Sequence, residues 1–136
     1  MNHWEHLKNK HTDWEENRLK QAVGKFVTIA TEPNKIPIHA TGGSIDLTLV
    51  DSSGNELDMG TKFDHFGPEA ASFYYDIHDI DDIVKANRKL LRDAMIAEDF
   101  RFDDDEWWHF DFGNQLWAAT LNKAFAIYGE CIPPDQ

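Results

Sequence analysis

Cysteine is almost absent from this sequence, and Cys131 is the one example. A lone thiol closes no intramolecular disulfide and builds no cysteine-rich zinc module, so any zinc site must draw on His, Asp and Glu. Cationic side chains are also scarce: 13 Lys and Arg stand against 25 Asp and Glu, a formal net charge of -12. Such a chain repels DNA, RNA and anionic lipid, which sets aside nucleic-acid and membrane-surface functions. No stretch approaches the ~20 apolar residues of a bilayer-spanning helix. The opening Met-Asn-His-Trp-Glu-His lacks the basic and apolar run of a signal peptide, so the chain reads as cytoplasmic. Internal repeats, low-complexity segments and phosphate-cradling loops are missing too, Gly42-Gly43 being too little for the last. Ser44 and Ser72 lack the glycine-flanked elbow of serine hydrolases, and Cys131 has no base beside it, which weakens a nucleophilic mechanism.

What remains is a chain of 136 residues with 41% hydrophobic content, five tryptophans and nine phenylalanines, enough for one domain with one core. Residues 13–30 read as a helix capped by Thr12 or Asp13, with Glu15 and Glu16 in its first turn. Pro33 and Pro37 force an extended segment, and His39 to Gly43 forms a glycine-containing bend. Residues 44–50 read as a strand and 55–59 as its returning arm around an Asp51–Asn55 turn. Residues 60–78 read as a long loop. A second helix, opened by Asp81 and Asp82, is predicted over 80–98, with Ile83, Ala86, Leu90, Leu91, Ala94 and Met95 on its apolar face. Short strands are predicted at 99–103 and 107–112, on either side of an acidic turn. Helices and strands that segregate in this way argue for an α+β fold with a small, mainly antiparallel sheet and flanking helices.

Two constellations could carry chemistry. His39 sits in the proline- and glycine-bounded bend, and Asp46 follows inside the apolar run Ile45-Asp46-Leu47. A carboxylate there is costly unless it faces solvent, is paired or binds a metal, and strand alternation permits the first of these. In Glu106-Trp107-Trp108-His109, a carboxylate and an imidazole three residues apart lie among bulky aromatics. An apolar wall raises a carboxyl's pKa and makes it a better base near neutrality. Residues i and i+3 of an ideal strand point to opposite faces, so a shared site needs a bend near Trp107, or Glu106 just ahead of the strand. The plain alternative is a surface Glu and an edge His flanked by core tryptophans. His3, His6 and His11 form a looser group near the start, and His65 and His78 have no defined partner in the long loop.

The strings Ile38-His39-Ala40-Thr41-Gly42-Gly43-Ser44-Ile45-Asp46-Leu47-Thr48-Leu49, Met59-Gly60-Thr61-Lys62-Phe63-Asp64 and Glu106-Trp107-Trp108-His109-Phe110 occur here in one order. Together they resemble the D-alanyl-D-alanine dipeptidases of the vancomycin-resistance type. These are zinc peptidases related in fold to the D,D-carboxypeptidases and the Hedgehog signalling domain. Carried over by position, the resemblance implies one zinc ion per chain held by His39, Asp46 and His109, with Glu106 as general base and acid. It implies D-Ala-D-Ala or a related small D,D-peptide as substrate, with no nucleic-acid or membrane partner. Two imidazoles and one carboxylate leave a fourth tetrahedral position open, as catalytic zinc sites do. The Met-Gly-Thr-x-Phe-Asp string borders the site in that family, and no chemical role passes to Asp64.

The resemblance also implies a departure. Longer relatives carry an Arg in an upstream Gly-Tyr-Arg-Pro-like segment, which helps bind substrate and stabilise developing charge. None of Arg18, Arg88, Arg92 and Arg101 lies in such a motif, so residues 1–136 read as a single zinc peptidase domain shortened at its N-terminus. Loss of one oxyanion-stabilising group typically costs ~10²–10³ in rate. A weakly active or inactive homologue, serving as a non-catalytic zinc-binding domain, is therefore the second expectation. Glu106 discriminates between the two, since binding alone does not need it. An unpaired sheet edge also predicts homodimerisation, at twice 15.7 kDa, and a clean monomer by light scattering at micromolar concentration would exclude it.

Overall fold

The computed structural model describes residues 36–131, with Asn9, Thr12, Glu15 and Arg18 before them. The helix expected over 13–30 lies almost wholly outside the described residues, as do His3, His6 and His11. A 3-10 turn over Ile38–Thr41 follows Pro37. It is locked by the Thr41 hydroxyl, which donates to the Ile38 carbonyl at 2.6 Å and accepts from the Gly43 amide at 3.0 Å. Gly42 takes the left-handed conformation, φ 69°. At Gly43 a Cβ would lie 2.6 Å from the Phe112 carbonyl oxygen, so only glycine lets these two backbones approach.

The sheet has three antiparallel strands in the order β1-β3-β2, where β1 is Ser44–Asp46, β2 Arg101–Phe102 and β3 His109–Asp111. All three are shorter than the hydrophobic pattern suggests, β1 because the chain changes partners. Leu47 still donates to Trp108, whereas Leu49 already accepts from Leu57, and Val50 bridges Glu56. The hairpin arms are joined by the expected turn, in which the Asp51 carboxylate accepts from the amides of Ser53 and Asn55. Residues 60–78 are not all loop. They hold a 3-10 turn at Pro68–Ala70 and a one-turn helix α1 at Tyr74–His78, which is too short to show a period in sequence.

Helix α2, Asp82–Ala97, is capped by Asp81, whose carboxylate accepts from the Val84 amide. Its buried face is only partly the one expected. Leu91 is buried and Met95 packs against the core, as expected, but Val84 and Arg88 are buried beside them, whereas Ile83, Ala86, Leu90 and Ala94 are exposed. The hidden element is Arg88, a charged residue only 2% exposed. Its guanidinium donates to the carbonyls of Met59, Glu69 and Ala71 at 2.8–2.9 Å and lies over the rings of Tyr75 and Trp107. Those bonds tie the 59–71 segment to the helix. Arg88→Leu is expected to cost about 3 kcal/mol in urea unfolding, because one buried and two part-buried carbonyls lose their donors.

The core joins Met59, Ala70, Leu91, Trp107, Trp108 and Phe110, with Phe102 against it. Helix α3, Gln115–Thr120, starts at Asn114, whose side chain accepts from the Trp117 amide. Buried Trp117 then donates to the Asp99 carbonyl at 2.6 Å. No helix among the described residues is long and apolar enough to cross a membrane.

Candidate metal centre

Strand register assembles the candidate residues. Asp46 of β1 sits opposite His109 of β3, and Ser44 sits opposite Asp111. Residues two apart in a strand share a face, so these four side chains make one polar face, while the Ile45 and Phe110 pair takes the other. Arg101 of β2, opposite Asp111, extends the polar row. The 3-10 turn then brings His39 to the end of this face. Its Nε2 lies 3.9 Å from Asp46 Oδ1, and its ring meets the His109 ring edge-on, centroids 4.8 Å apart. His109 Nδ1 lies 2.9 Å from the same Asp46 oxygen.

The three residues can each offer one ligand atom, all within 4.8 Å of one another. Two imidazoles and a carboxylate suit zinc. With ~2.1 Å bonds, tetrahedral ligand atoms stand about 3.4 Å apart; the two separations to Asp46, 2.9 and 3.9 Å, bracket that spacing, and the third lies within 4.8 Å. The cluster is also open on one side: the side chains of His39 and Asp46 are 54% and 37% exposed, and that of His109 only 2%. An ion could therefore enter, and a substrate could reach it.

Glu106 stands just ahead of β3. The His109 amide donates to the Glu106 carbonyl at 3.3 Å, closing a turn through Trp107 and Trp108, so that Glu106 precedes the strand. The Trp107 indole donates to the Thr61 hydroxyl and stacks on Phe63, so the Met59–Asp64 string forms a wall beside this turn. Burial pushes the Glu106 carboxyl up to about 7; the His109 charge opposes this, and Asp103, Asp46 and Asp64 reinforce it. A cavity of about 410 Å³ opens on the Trp107 side of the turn, lined by Thr48, Met59, Thr61, Phe63 and Trp107 among others, and none of His39, Asp46, Glu106 and His109 lines it.

His109 is gripped from both sides. Its Nε2 lies 3.1 Å from Asp111 Oδ1, opposite the Asp46 contact. Burial draws the imidazole's pKa down, but the hydrogen bonds and charges of Asp111 and Asp46 outweigh it and lift the group to about 9. Asp111 itself is fully buried. Burial alone would raise its carboxyl; hydrogen bonds from His109, Ser44 and Asn114 instead hold it well below the usual range. The sequence reading missed Asp111, Arg101 and Asn114, and weighed Ser44 only as a nucleophile. The available signal was period two: Asp111 shares the face of His109. His65 and His78 lie elsewhere, against Glu69 and the Tyr74 carbonyl.

Residues 11–128 match the family model described as D-ala-D-ala dipeptidase. The chain belongs to the D-Ala-D-Ala dipeptidase family. That family is one of metallopeptidases, and the His39, Asp46 and His109 cluster is a possible metal site within it. The D-alanyl-D-alanine dipeptidase of Synechocystis is 30% identical over 116 residues, which cover 79% of this chain and 47% of the relative. The Escherichia coli protein of the same name is 37% identical over 90 residues, 66% of this chain and 45% of that one. The chain thus spans about half the length of these relatives. The small antiparallel sheet with its helices is consistent with the family's Hedgehog/DD-peptidase-like fold.

Proposed function

We propose that the chain is a zinc-dependent D,D-dipeptidase domain that splits D-alanyl-D-alanine into two D-alanines. One observation carries this reading: two imidazoles and a carboxylate converge within 4.8 Å, beside a Glu whose carboxyl is pushed up to about 7. His39, Asp46 and His109 would hold one zinc ion, which when bound lowers the pKa of a water toward ~7 and polarises the scissile carbonyl. Glu106 accepts the proton of the attacking water and delivers it to the leaving amine of the second alanine. Trp107 and Trp108, both buried, keep the base in a poorly hydrated wall.

The test is to measure D-alanine released from D-Ala-D-Ala by the chain loaded with one equivalent of zinc. Release is expected, to fall to background in excess chelator and to return on adding zinc back. A folded chain that binds zinc and releases nothing would replace the dipeptidase reading with a non-catalytic zinc-binding domain. A chain that binds no zinc would overturn both.

A further inference from the structure

We propose that Asp111 is the positioning residue of the metal centre: it fixes the tautomer and direction of His109 so that Nδ1 is the atom offered to the metal. This rests on the zinc reading above and adds a residue to it. The argument begins with the two nitrogens of one buried ring. Nδ1 faces Asp46 at 2.9 Å, on the side of His39, and Nε2 faces Asp111 at 3.1 Å on the other. An imidazole that binds a metal is neutral and carries one proton. Placed on Nε2, it is donated to Asp111, and the Nδ1 lone pair is left for the cluster. An imidazole whose far nitrogen donates to a carboxylate is held in orientation and made a stronger ligand.

Asp111 is built for this. It is fully buried, and every partner it has is a donor. Oδ1 accepts from the Ser44 hydroxyl at 2.6 Å and the Asn114 amide at 2.6 Å in addition to His109, and Oδ2 accepts from Arg101 at 2.7 Å. Arg101 is anchored in turn by Asp103 at 3.0 Å. The carboxylate therefore cannot rotate away or take up a proton without losing several bonds. The polar row Ser44–Asp111–Arg101 runs straight across the sheet, behind the Asp46–His109 row.

The experiment uses the full chain, labelled with ¹⁵N-histidine and titrated with zinc alone against a competing chelator. In the zinc-loaded parent, His109 is expected to show a metal-bound Nδ1 and a protonated Nε2. Asp111→Asn is expected to weaken zinc binding 10–100-fold, since an amide is a poorer acceptor for the Nε2 proton and turns a donor toward its neighbours. Circular dichroism of the metal-free variant checks that it folds. Should it not fold, the nitrogen assignment in the parent decides the matter by itself. Zinc on Nε2 of His109, or parental affinity in folded Asp111→Asn, would overturn the inference and leave the dipeptidase reading intact. A parent that binds no zinc would remove that reading first, before any variant is compared.

Discussion

Glu106→Gln is expected to lower turnover of D-Ala-D-Ala about 10²–10⁴-fold, with the zinc content of the purified chain unchanged. Gln keeps the shape of the side chain and cannot accept a proton. The effect should therefore fall on kcat rather than on the metal or the fold. The parent's pH profile supplies the second half of the result. Only the ionised carboxylate serves as base, and burial pushes the group up to about 7. A cation bound nearby pulls in the other direction. The parent's kcat/KM should then rise with pH through an apparent pKa at or below about 7, and the residual rate of the variant should lack that limb. A zinc-loaded variant with parental turnover would take the base role away from Glu106.

The same carboxyl makes a stability prediction of opposite sign. Its folded pKa, about 7, lies above the ordinary 4.5. A carboxyl raised in this way contributes stability that is fully present below the unfolded value and lost as pH rises through the folded one. Glutamine has no such dependence. In chelator, Glu106→Gln should match the parent near pH 4 and exceed it at pH 8 by on the order of 1–2 kcal/mol, after allowing for solvent screening of a half-buried group. Denaturant melts at the two pH values check this. A variant less stable than the parent at pH 8 would mean that Glu106 is held by contacts, not strained by burial.

The parts of the fold that could be read from sequence were those marked by local chemistry. Proline and glycine announced the bend that carries His39, Asp51 announced the hairpin turn, and Asp81 the start of α2. Strand identity was readable, but strand length was not, because β1 trades β3 for the 55–57 arm after Leu47 and no local signal marks the exchange. The buried face of α2 was read correctly at Leu91 and Met95 and misread elsewhere, for a different reason. Periodicity counts Arg88 as polar, and only the tertiary structure supplies the three carbonyls and two rings that let it sit inside. In the candidate site, the same limit separates His39, Asp46, Glu106 and His109 from Asp111. The first four stand in strings that a family resemblance reaches. Asp111 acquires its partners through register, as Ser44 and Arg101 come opposite it from β1 and β2, sixty-seven and ten residues away in sequence.

His39→Ala and His109→Ala are both expected to abolish stoichiometric zinc binding and D-alanine release, yet to differ sharply in what they do to the metal-free fold. Two ligands rarely hold zinc where three are needed, so either loss suffices for the first effect. The second follows from burial. The His39 side chain is 54% exposed and has only a loose contact with Asp46 at 3.9 Å and an edge-on contact with the His109 ring, so its alanine variant should unfold within about 0.5 kcal/mol of the parent. The His109 side chain is 2% exposed and lies between two carboxylates, one of them fully buried. Its removal leaves Asp111 and Asp46 facing a void without the imidazole between them, at a cost of about 3–5 kcal/mol for breaking a buried charged pair. Metal-free denaturant unfolding of the two variants measures the contrast. Equal and small losses would mean that the polar face of the sheet is wetter than the geometry shows. Zinc retained at one equivalent by His39→Ala would place the third ligand outside the His39, Asp46 and His109 cluster, and with it the open face on which the dipeptidase reading depends.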